Sequence, residues 1–122
     1  MIQSFDIRVL KYWHTKHPDV RLALLIENLK TINENLTELG FVPDVYSPEF
    51  HLLDKNEIIF LHGKIPTREV KTGKKQTKLR VIPWTVNEEI DMKELKEMNV
   101  DGIITDYPDR ARKLKLTLNG KK

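Results

Sequence analysis

Apolar residues occur along this chain either in short continuous runs or at helical spacing, and the two patterns alternate. Apolar residues three or four positions apart predict helices between the runs and a last helix beginning near Pro108. This alternation, with turns of only a few residues, predicts right-handed crossovers and a parallel sheet. The runs that predict its five strands are IQSF (2–5), RLALLIE (21–27), PDVYSP (43–48), LRVIPWT (79–85) and DGIITD (101–106).

Polar residues mark where several predicted helices begin or end. Asp6 is expected to cap the first helix, and Gly40 to end the second. DKNE (54–57) resembles a capping box, with Asp in place of Ser or Thr. Asn87 is expected to cap the following helix, with two glutamates near its positive end. The residues of that helix expected to face inward are Ile90, Leu95 and Met98.

Two parallel architectures remain open on this pattern, an open doubly wound sheet and an arc of a (β/α)₈ barrel. No glycine-rich phosphate loop follows any strand, which argues against a nucleotide-binding open sheet. In both architectures, function lies at the carboxyl ends of the strands. Each polar or aromatic residue there also has an ordinary explanation as a helix cap or as rim packing. These residues are Ser4-Phe5, Glu27-Asn28, Tyr46-Ser47, Trp84 to Asn87 and Thr105-Asp106.

Composition favours one globular domain over residues 1–122, with 39% hydrophobic and 32% charged residues. No apolar stretch approaches the roughly 20 residues that cross a bilayer, and the first ten residues do not resemble a signal peptide. A cytoplasmic location is expected if the chain is complete. The absence of cysteine excludes disulfides, thiolate metal sites and cysteine nucleophiles.

Positive charge is concentrated in residues 64–80, which contain seven Lys or Arg and one acid. Because the whole chain carries +3, the rest of it is acidic overall. Lys and Arg side chains neutralise phosphates, so a non-enzymatic module that binds nucleic acid or an anionic surface is an alternative function. The segment contains no aromatic residue for base stacking, which makes nucleic-acid binding the weaker hypothesis.

Five stretches together resemble the C-terminal half of a glycerophosphodiester phosphodiesterase. The resemblance runs from Ile2 to about Leu116 except for residues 63–78, which are interpreted as a basic insertion or divergent loop. It implies the C-terminal half of a (β/α)₈ barrel, with parallel strands alternating with helices. The stretches are IQSFD, LALLIEN, LGFVPDVYSP, VIPWTVN and VDGIITDYPD, of which the pieces WTVN and GIITDYP are the most specific.

The resemblance also implies hydrolysis of glycerophosphodiesters to glycerol 3-phosphate and an alcohol, with a divalent cation, Mg²⁺ or Ca²⁺. The family's His-Arg-Gly motif, its Glu-x-Asp pair and its second histidine are absent here, so no catalytic residue and no metal ligand is predicted in this chain. Surface or helix-end roles are expected for the four histidines, His14, His17, His51 and His62.

What the resemblance does assign is one wall of the substrate pocket. Trp84 and Phe5 match aromatic residues at the pocket, and Asn87 matches the last residue of the WTVN motif, where helix capping is also expected. An open half barrel is expected to aggregate or to pair, either with an N-terminal half or with a second copy. Because the family's catalytic histidines and metal-binding acids are absent from it, the chain alone is expected to be inactive.

Overall fold

A computed structural model describes residues 1–63 and 79–114 of the chain, so the predicted loop at 64–78 lies outside the described residues. Within these ranges no helix has the length and apolar character needed to cross a membrane. A 3₁₀ turn at Phe50–Leu52 follows the third strand. The strands and helices are β1 (Ile2–Ser4), α1 (Ile7–Lys16), β2 (Leu22–Ile26), α2 (Ile32–Leu39), β3 (Val45–Pro48), α3 (Lys55–Gly63), β4 (Arg80–Val81), α4 (Glu89–Glu97) and α5 (Pro108–Lys113).

The four strands form one parallel sheet in the order β1-β2-β3-β4, which is the order of the sequence. A doubly wound sheet reverses its strand order at a switch point and carries helices on both faces. Sequential order is instead that of a barrel, in which each crossover moves one strand further around. The fold is therefore an arc of a (β/α)₈ barrel.

The two faces of the sheet have different neighbours. Leu22, Leu24 and Ile26 alternate along β2 and pack in one buried cluster with side chains of α1, α2 and α3. The residues between them point to the opposite face, where Ala23 packs with residues of β3 and of the chain after β4. Helices thus cover one face, and the other is the inner face of the barrel arc.

Helices α4 and α5 close the far end of this arc around a second buried cluster. Met92 and Leu95 of α4 pack against Val86, Ile103 and Ala111. The expected inward position of Leu95 is confirmed, and Met98 packs partly buried beside it. The prediction for Ile90 was wrong, since its side chain is 68% exposed. Ile90 lies five residues before Leu95, about 140° around the helix, whereas Met92 lies three residues before it and shares the buried side.

The fourth and fifth strands are less regular than predicted. Only Arg80–Val81 of residues 79–85 forms a ladder with β3, and Trp84 adds an isolated bridge to Glu49. Residues 101–106 contain one bridge residue, Ile103, and no regular strand, so the prediction of a fifth regular strand was wrong. The segment nevertheless runs beside β4, with Asp101 N donating to Val81 O and Ile104 N to Pro83 O. It occupies a fifth strand position.

Helix ends form largely as the sequence predicted. The Asp6 carboxylate accepts from Arg8 N, and the Arg8 guanidinium beside it holds the pKa of Asp6 below its usual value. Asp54 and Glu57 form the reciprocal bonds of a capping box. Gly40 ends α2 at φ +88°, a left-handed conformation that favours glycine.

Candidate functional site

The carboxyl ends of β1 and β4 bring two aromatic side chains together. Phe5 follows β1 and Trp84 follows β4, and their ring centroids lie 5.5 Å apart with an interplanar angle of 83°. Edge-to-face contact of this kind is a favoured aromatic geometry. Half of the Phe5 side chain is exposed, and Trp84 is partly buried. The pair therefore presents an apolar surface at the edge where barrels bind ligands.

Several hydrogen bonds to the end of β3 fix Trp84. Its indole Nε1 donates to Ser47 O at 2.8 Å. Its backbone N donates to Pro48 O and its carbonyl accepts from Phe50 N, and the Trp84–Thr85 peptide bond is cis. The Ser47 hydroxyl, almost fully buried, donates to Ile82 O. The Trp84 backbone is thus held on both sides and its indole by one hydrogen bond, which limits rotation of the ring at the pocket edge.

Asn87 does not cap α4, so that prediction was wrong. Glu88 is the N-cap residue, and its side chain makes no capping hydrogen bond. The Asn87 side chain turns instead to the neighbouring loop, where its Oδ1 accepts from Asp106 N at 3.0 Å and from Thr105 Oγ1 at 3.1 Å. Its Nδ2 donates to Asp106 Oδ2 at 3.1 Å. Asn87 therefore joins the loop after Trp84 to the loop after residues 101–106.

Arg110 of α5 reinforces this connection. Its guanidinium donates to Asn87 O at 2.6 Å and lies 4.3 Å from the centroid of the Tyr107 ring. The loop that contains Asn87 is therefore held through the Asn87 side chain and through the Asn87 backbone carbonyl.

A second surface lies at the carboxyl ends of β1 and β2, in a groove of about 340 Å³ between α1 and α2. A polar relay supports its floor. Asn28 Nδ2 donates to Asn35 Oδ1, and Asn35 Nδ2 donates to the Tyr46 hydroxyl, each at 3.0 Å. Sequence reasoning missed this relay. The available signal was Asn35 itself, a polar residue within the apolar face Ile32, Leu36 and Leu39.

Tyr46 makes the relay sensitive to alkaline pH. Burial raises the pKa of the Tyr46 hydroxyl above its ordinary value, the Asn35 hydrogen bond opposes this, and Glu57 adds to it. The folded state therefore keeps a proton that the unfolded state loses above about pH 10, and the stability contributed by this group falls as pH rises further.

We expect Tyr46→Phe to cost about 1–2 kcal/mol at pH 8, because the buried Asn35 amide loses its acceptor. The cost should shrink above about pH 10, where Tyr46 itself destabilises the wild type. Urea unfolding at both pH values measures this, with Tyr12→Phe at an exposed site as control. A cost unchanged with pH would contradict the role of the buried hydroxyl.

The four histidines all lie within the described residues and all pack against neighbours. The rings of His14 and Phe41 stack at 3.8 Å, and His17 lies 4.7 Å from Trp13. His62 Nε2 lies 2.6 Å from Asp101 Oδ2, at the amino-terminal side of the sheet.

His51 is the one histidine on the carboxyl-end side, in the turn after β3, and its Nδ1 lies 2.8 Å from Glu49 Oε2. Its ring packs on Phe50 with centroids 4.0 Å apart. The sequence had placed this residue only before a helix cap.

A divalent cation does not fit the described part of the chain. A hard cation needs several converging oxygen ligands. Within residues 1–63 and 79–114 no three His, Cys, Asp or Glu side chains are grouped to hold a metal. Asp106, at the end of the fifth strand position, is engaged with Asn87.

Comparison with solved structures places this arc in larger barrels. A protein from Silicibacter pomeroyi DSS-3 superposes with a TM-score of 0.69 at 24% identity, covering 92% of this chain and 36% of that one. An Oleispira antarctica phosphodiesterase, solved with the product sn-glycerol-3-phosphate, gives 0.66 at 16% identity over 91% and 39%. A glycerophosphodiester phosphodiesterase from Parabacteroides distasonis gives 0.63 at 24% identity over 92% and 41%. These similarities establish the fold as part of a (β/α)₈ barrel.

Sequence comparison agrees with the structural one. A glycerophosphodiester phosphodiesterase of Bacillus altitudinis is 30% identical over 116 residues, which are 94% of this chain and 42% of that protein. The chain thus spans less than half the length of this curated relative. Residues 1–110 match the model of the glycerophosphoryl diester phosphodiesterase family. Because that match covers most of the chain, this protein belongs to the glycerophosphoryl diester phosphodiesterase family.

Proposed function

We propose that this chain forms one wall of the substrate pocket of a metal-dependent glycerophosphodiester phosphodiesterase. The complete barrel would hydrolyse glycerophosphodiesters to glycerol 3-phosphate and an alcohol. The observation that carries the proposal is the Phe5–Trp84 pair, held edge-to-face at the carboxyl ends of β1 and β4. Apolar and aromatic surfaces with a few fixed polar groups are typical of small-molecule sites.

The chemistry of diester hydrolysis explains why this wall is not sufficient. The reaction needs a positioned base and acid, and a cation to offset the charge of the phosphodiester. Among the described residues, no histidine lies beside Phe5 and Trp84 in a ring contact, and no metal-binding cluster occurs. Residues 64–78 contain no histidine and one acid. The acid, the base and the ligands of a Mg²⁺ or Ca²⁺ ion therefore belong to the remaining part of the barrel.

Asn87 has an indirect role in this proposal. Its side-chain amide is occupied by Thr105 and Asp106. We assign it the positioning of the loop that carries Trp84, with direct substrate contact left to Phe5 and Trp84.

A titration with sn-glycerol 3-phosphate, followed by NMR, tests the proposal. Shift changes are expected at Phe5 and at the Trp84 indole, with a dissociation constant of about 1–10 mM, a weak affinity that suits one wall alone. Phe5→Ala should abolish them. Ile59→Ala, which removes an exposed apolar side chain from α3, is the matched control and should not.

Two results would count against the proposal that this chain forms one wall of the substrate pocket. No shift change at Phe5 or Trp84 at saturating ligand would contradict it. Shift changes confined to residues 64–80 would favour the alternative function, binding of anionic surfaces by the basic segment.

A further inference from the structure

The groove at the carboxyl ends of β1 and β2 adjoins the aromatic pair through Phe5. Phe5 lines this groove, and its ring also meets the Trp84 ring edge-to-face. A contact of that geometry covers at most one face of a ring, and half of the Phe5 side chain is exposed. The groove volume of about 340 Å³ falls within the range of small-molecule pockets, roughly 300–1,000 Å³. A ligand at the aromatic pair can therefore continue over Phe5 into the groove.

The groove carries an excess of negative charge. Its lining includes three carboxylates and, among the described residues, no Lys or Arg. Two of the carboxylates form ion pairs with neighbours, Asp6 with Arg8 and Glu38 with Lys30. The third, Glu27, makes no hydrogen bond or ion pair within residues 1–63 and 79–114. The described part of the protein therefore leaves the charge of Glu27 without a partner.

Asn28 supplies a fixed polar group beside Glu27. Its Oδ1 accepts from Lys30 N at 2.9 Å, and its Nδ2 donates to Asn35 Oδ1. Asn35 is held in turn by its bond to the buried Tyr46 hydroxyl. An amide nitrogen carries two hydrogens, so the Asn28 side chain keeps a second N–H in a fixed orientation. This donor suits an ether, ester or hydroxyl oxygen of a ligand in the groove.

We propose that the groove binds the alcohol part of a glycerophosphodiester when that alcohol carries an ammonium group, and that Glu27 is the residue that selects it. The assignment of the ligand to a diester rests on the proposed function. The ammonium group is attracted by the Glu27 carboxylate and by the face of the Phe5 ring. Both attractions are lost for an uncharged alcohol, and Glu27 repels an acidic one.

An anion is the competing ligand, because α1 and α2 both begin at this end of the sheet and the positive ends of helices attract negative charge. Carboxylates of the protein already occupy both helix ends. Asp6 accepts from Arg8 N, and Glu34 accepts from Thr31 N. An anion in the groove would also face the Glu27 carboxylate. The charges of the lining therefore favour a cation.

Two probes of nearly the same shape isolate the effect of charge: choline, and its uncharged isostere in which carbon replaces nitrogen. NMR titration of the full chain with choline should shift the amides of Phe5, Glu27 and Asn28. Choline should bind about fivefold more tightly than the isostere, the ratio given by one exposed cation–π contact and one exposed ion pair.

A pair of charge-neutralising variants locates this preference. Glu27→Gln should lower the ratio to about twofold, the part contributed by Phe5. It changes an exposed side chain that makes no bond within the described residues, so circular dichroism should stay unchanged. Glu97→Gln removes an exposed carboxylate at the other end of α4, and it should keep the fivefold ratio.

Glycerophosphocholine distinguishes the alcohol part of a substrate from free choline. Because it links the two parts, it should shift Trp84 together with Glu27 and Asn28, and it should bind more tightly than either choline or sn-glycerol 3-phosphate. Shift changes at Glu27 and Asn28 without any at Trp84 would overturn the assignment of the groove to the diester.

The inference is also overturned if wild type binds choline and its isostere equally, if Glu27→Gln leaves the ratio unchanged, or if inorganic phosphate shifts Glu27 and Asn28 more than choline does. Failure of the proposed function gives a different pattern. Shift changes at Trp84 with sn-glycerol 3-phosphate, without any in the groove with choline, keep the pocket wall and reject the groove. The opposite result keeps the cation preference of the groove, but it rejects the wall and the diester as ligand.

Discussion

Asn87→Asp is expected to lower the free energy of unfolding by about 1–2 kcal/mol. The substitution replaces Nδ2, which donates to Asp106 Oδ2 at 3.1 Å, with an oxygen that cannot donate. The hydrogen bond to Asp106 is then lost, and the new carboxylate of residue 87 repels the carboxylate of Asp106. The loop that follows Trp84 would loosen, because Asn87 is its main side-chain connection to residues 105 and 106.

This substitution separates two roles for Asn87, since Asp caps a helix as well as Asn does. If Asn87 served α4 as a cap, Asn87→Asp would be neutral or slightly stabilising near the positive end of the helix. Asn33→Asp, at an exposed position in the first turn of α2, provides that reference and should change stability by less than about 0.5 kcal/mol. Urea unfolding of both variants measures the difference. Equal effects would contradict the loop-joining role.

Features set by neighbouring residues could be predicted from the sequence. The Asp6 cap, the Asp54–Glu57 capping box and the glycine end of α2 depend on groups within three or four positions of each other. Strand β2 could also be predicted as a continuous apolar run, because parallel strands in a barrel are buried on both faces.

Predictions failed where a distant contact decided the outcome. Asn87 fits the pattern of a helix cap, but Thr105 and Asp106, eighteen and nineteen positions away, engage its side chain. Ile90 was predicted to face inward, but it lies five residues before the buried Leu95, about 140° around the helix, and its side chain is exposed. Residues 101–106 were predicted to be a regular strand, but the ladder of the sheet ends with β4, and this segment is not one of its strands.

The candidate site shows the same division. The sequence placed Phe5 and Trp84 at carboxyl ends of strands, and it could not show that their rings meet, because β1 and β4 are not adjacent in the sheet. The barrel curvature and the edge-to-face packing bring them together. Likewise, the choice between an open sheet and a barrel arc depended on the sequential strand order, which no local pattern contains.

The second large effect concerns catalysis. The purified chain alone, supplied with glycerophosphocholine and Mg²⁺ or Ca²⁺, is expected to show no turnover above the protein-free rate. Enzymes of this kind owe accelerations of about 10⁶-fold or more to positioned acid, base and metal groups. A chain without the acid, the base and the metal should therefore show no measurable hydrolysis. The described residues contain no metal-binding cluster, and the four histidines are engaged with Phe41, Trp13, Glu49 and Asp101.

Release of choline or glycerol 3-phosphate by this chain is the most direct measurement of the central claim, that it supplies a pocket wall without the catalytic groups. The account predicts no metal-dependent product from the chain alone. It predicts turnover by a complete barrel that includes this wall, with a kcat/KM about tenfold lower for Trp84→Ala, the loss of about 1.4 kcal/mol of aromatic contact. Metal-dependent turnover by the chain alone, abolished when one of its histidines is replaced by alanine, would contradict the account.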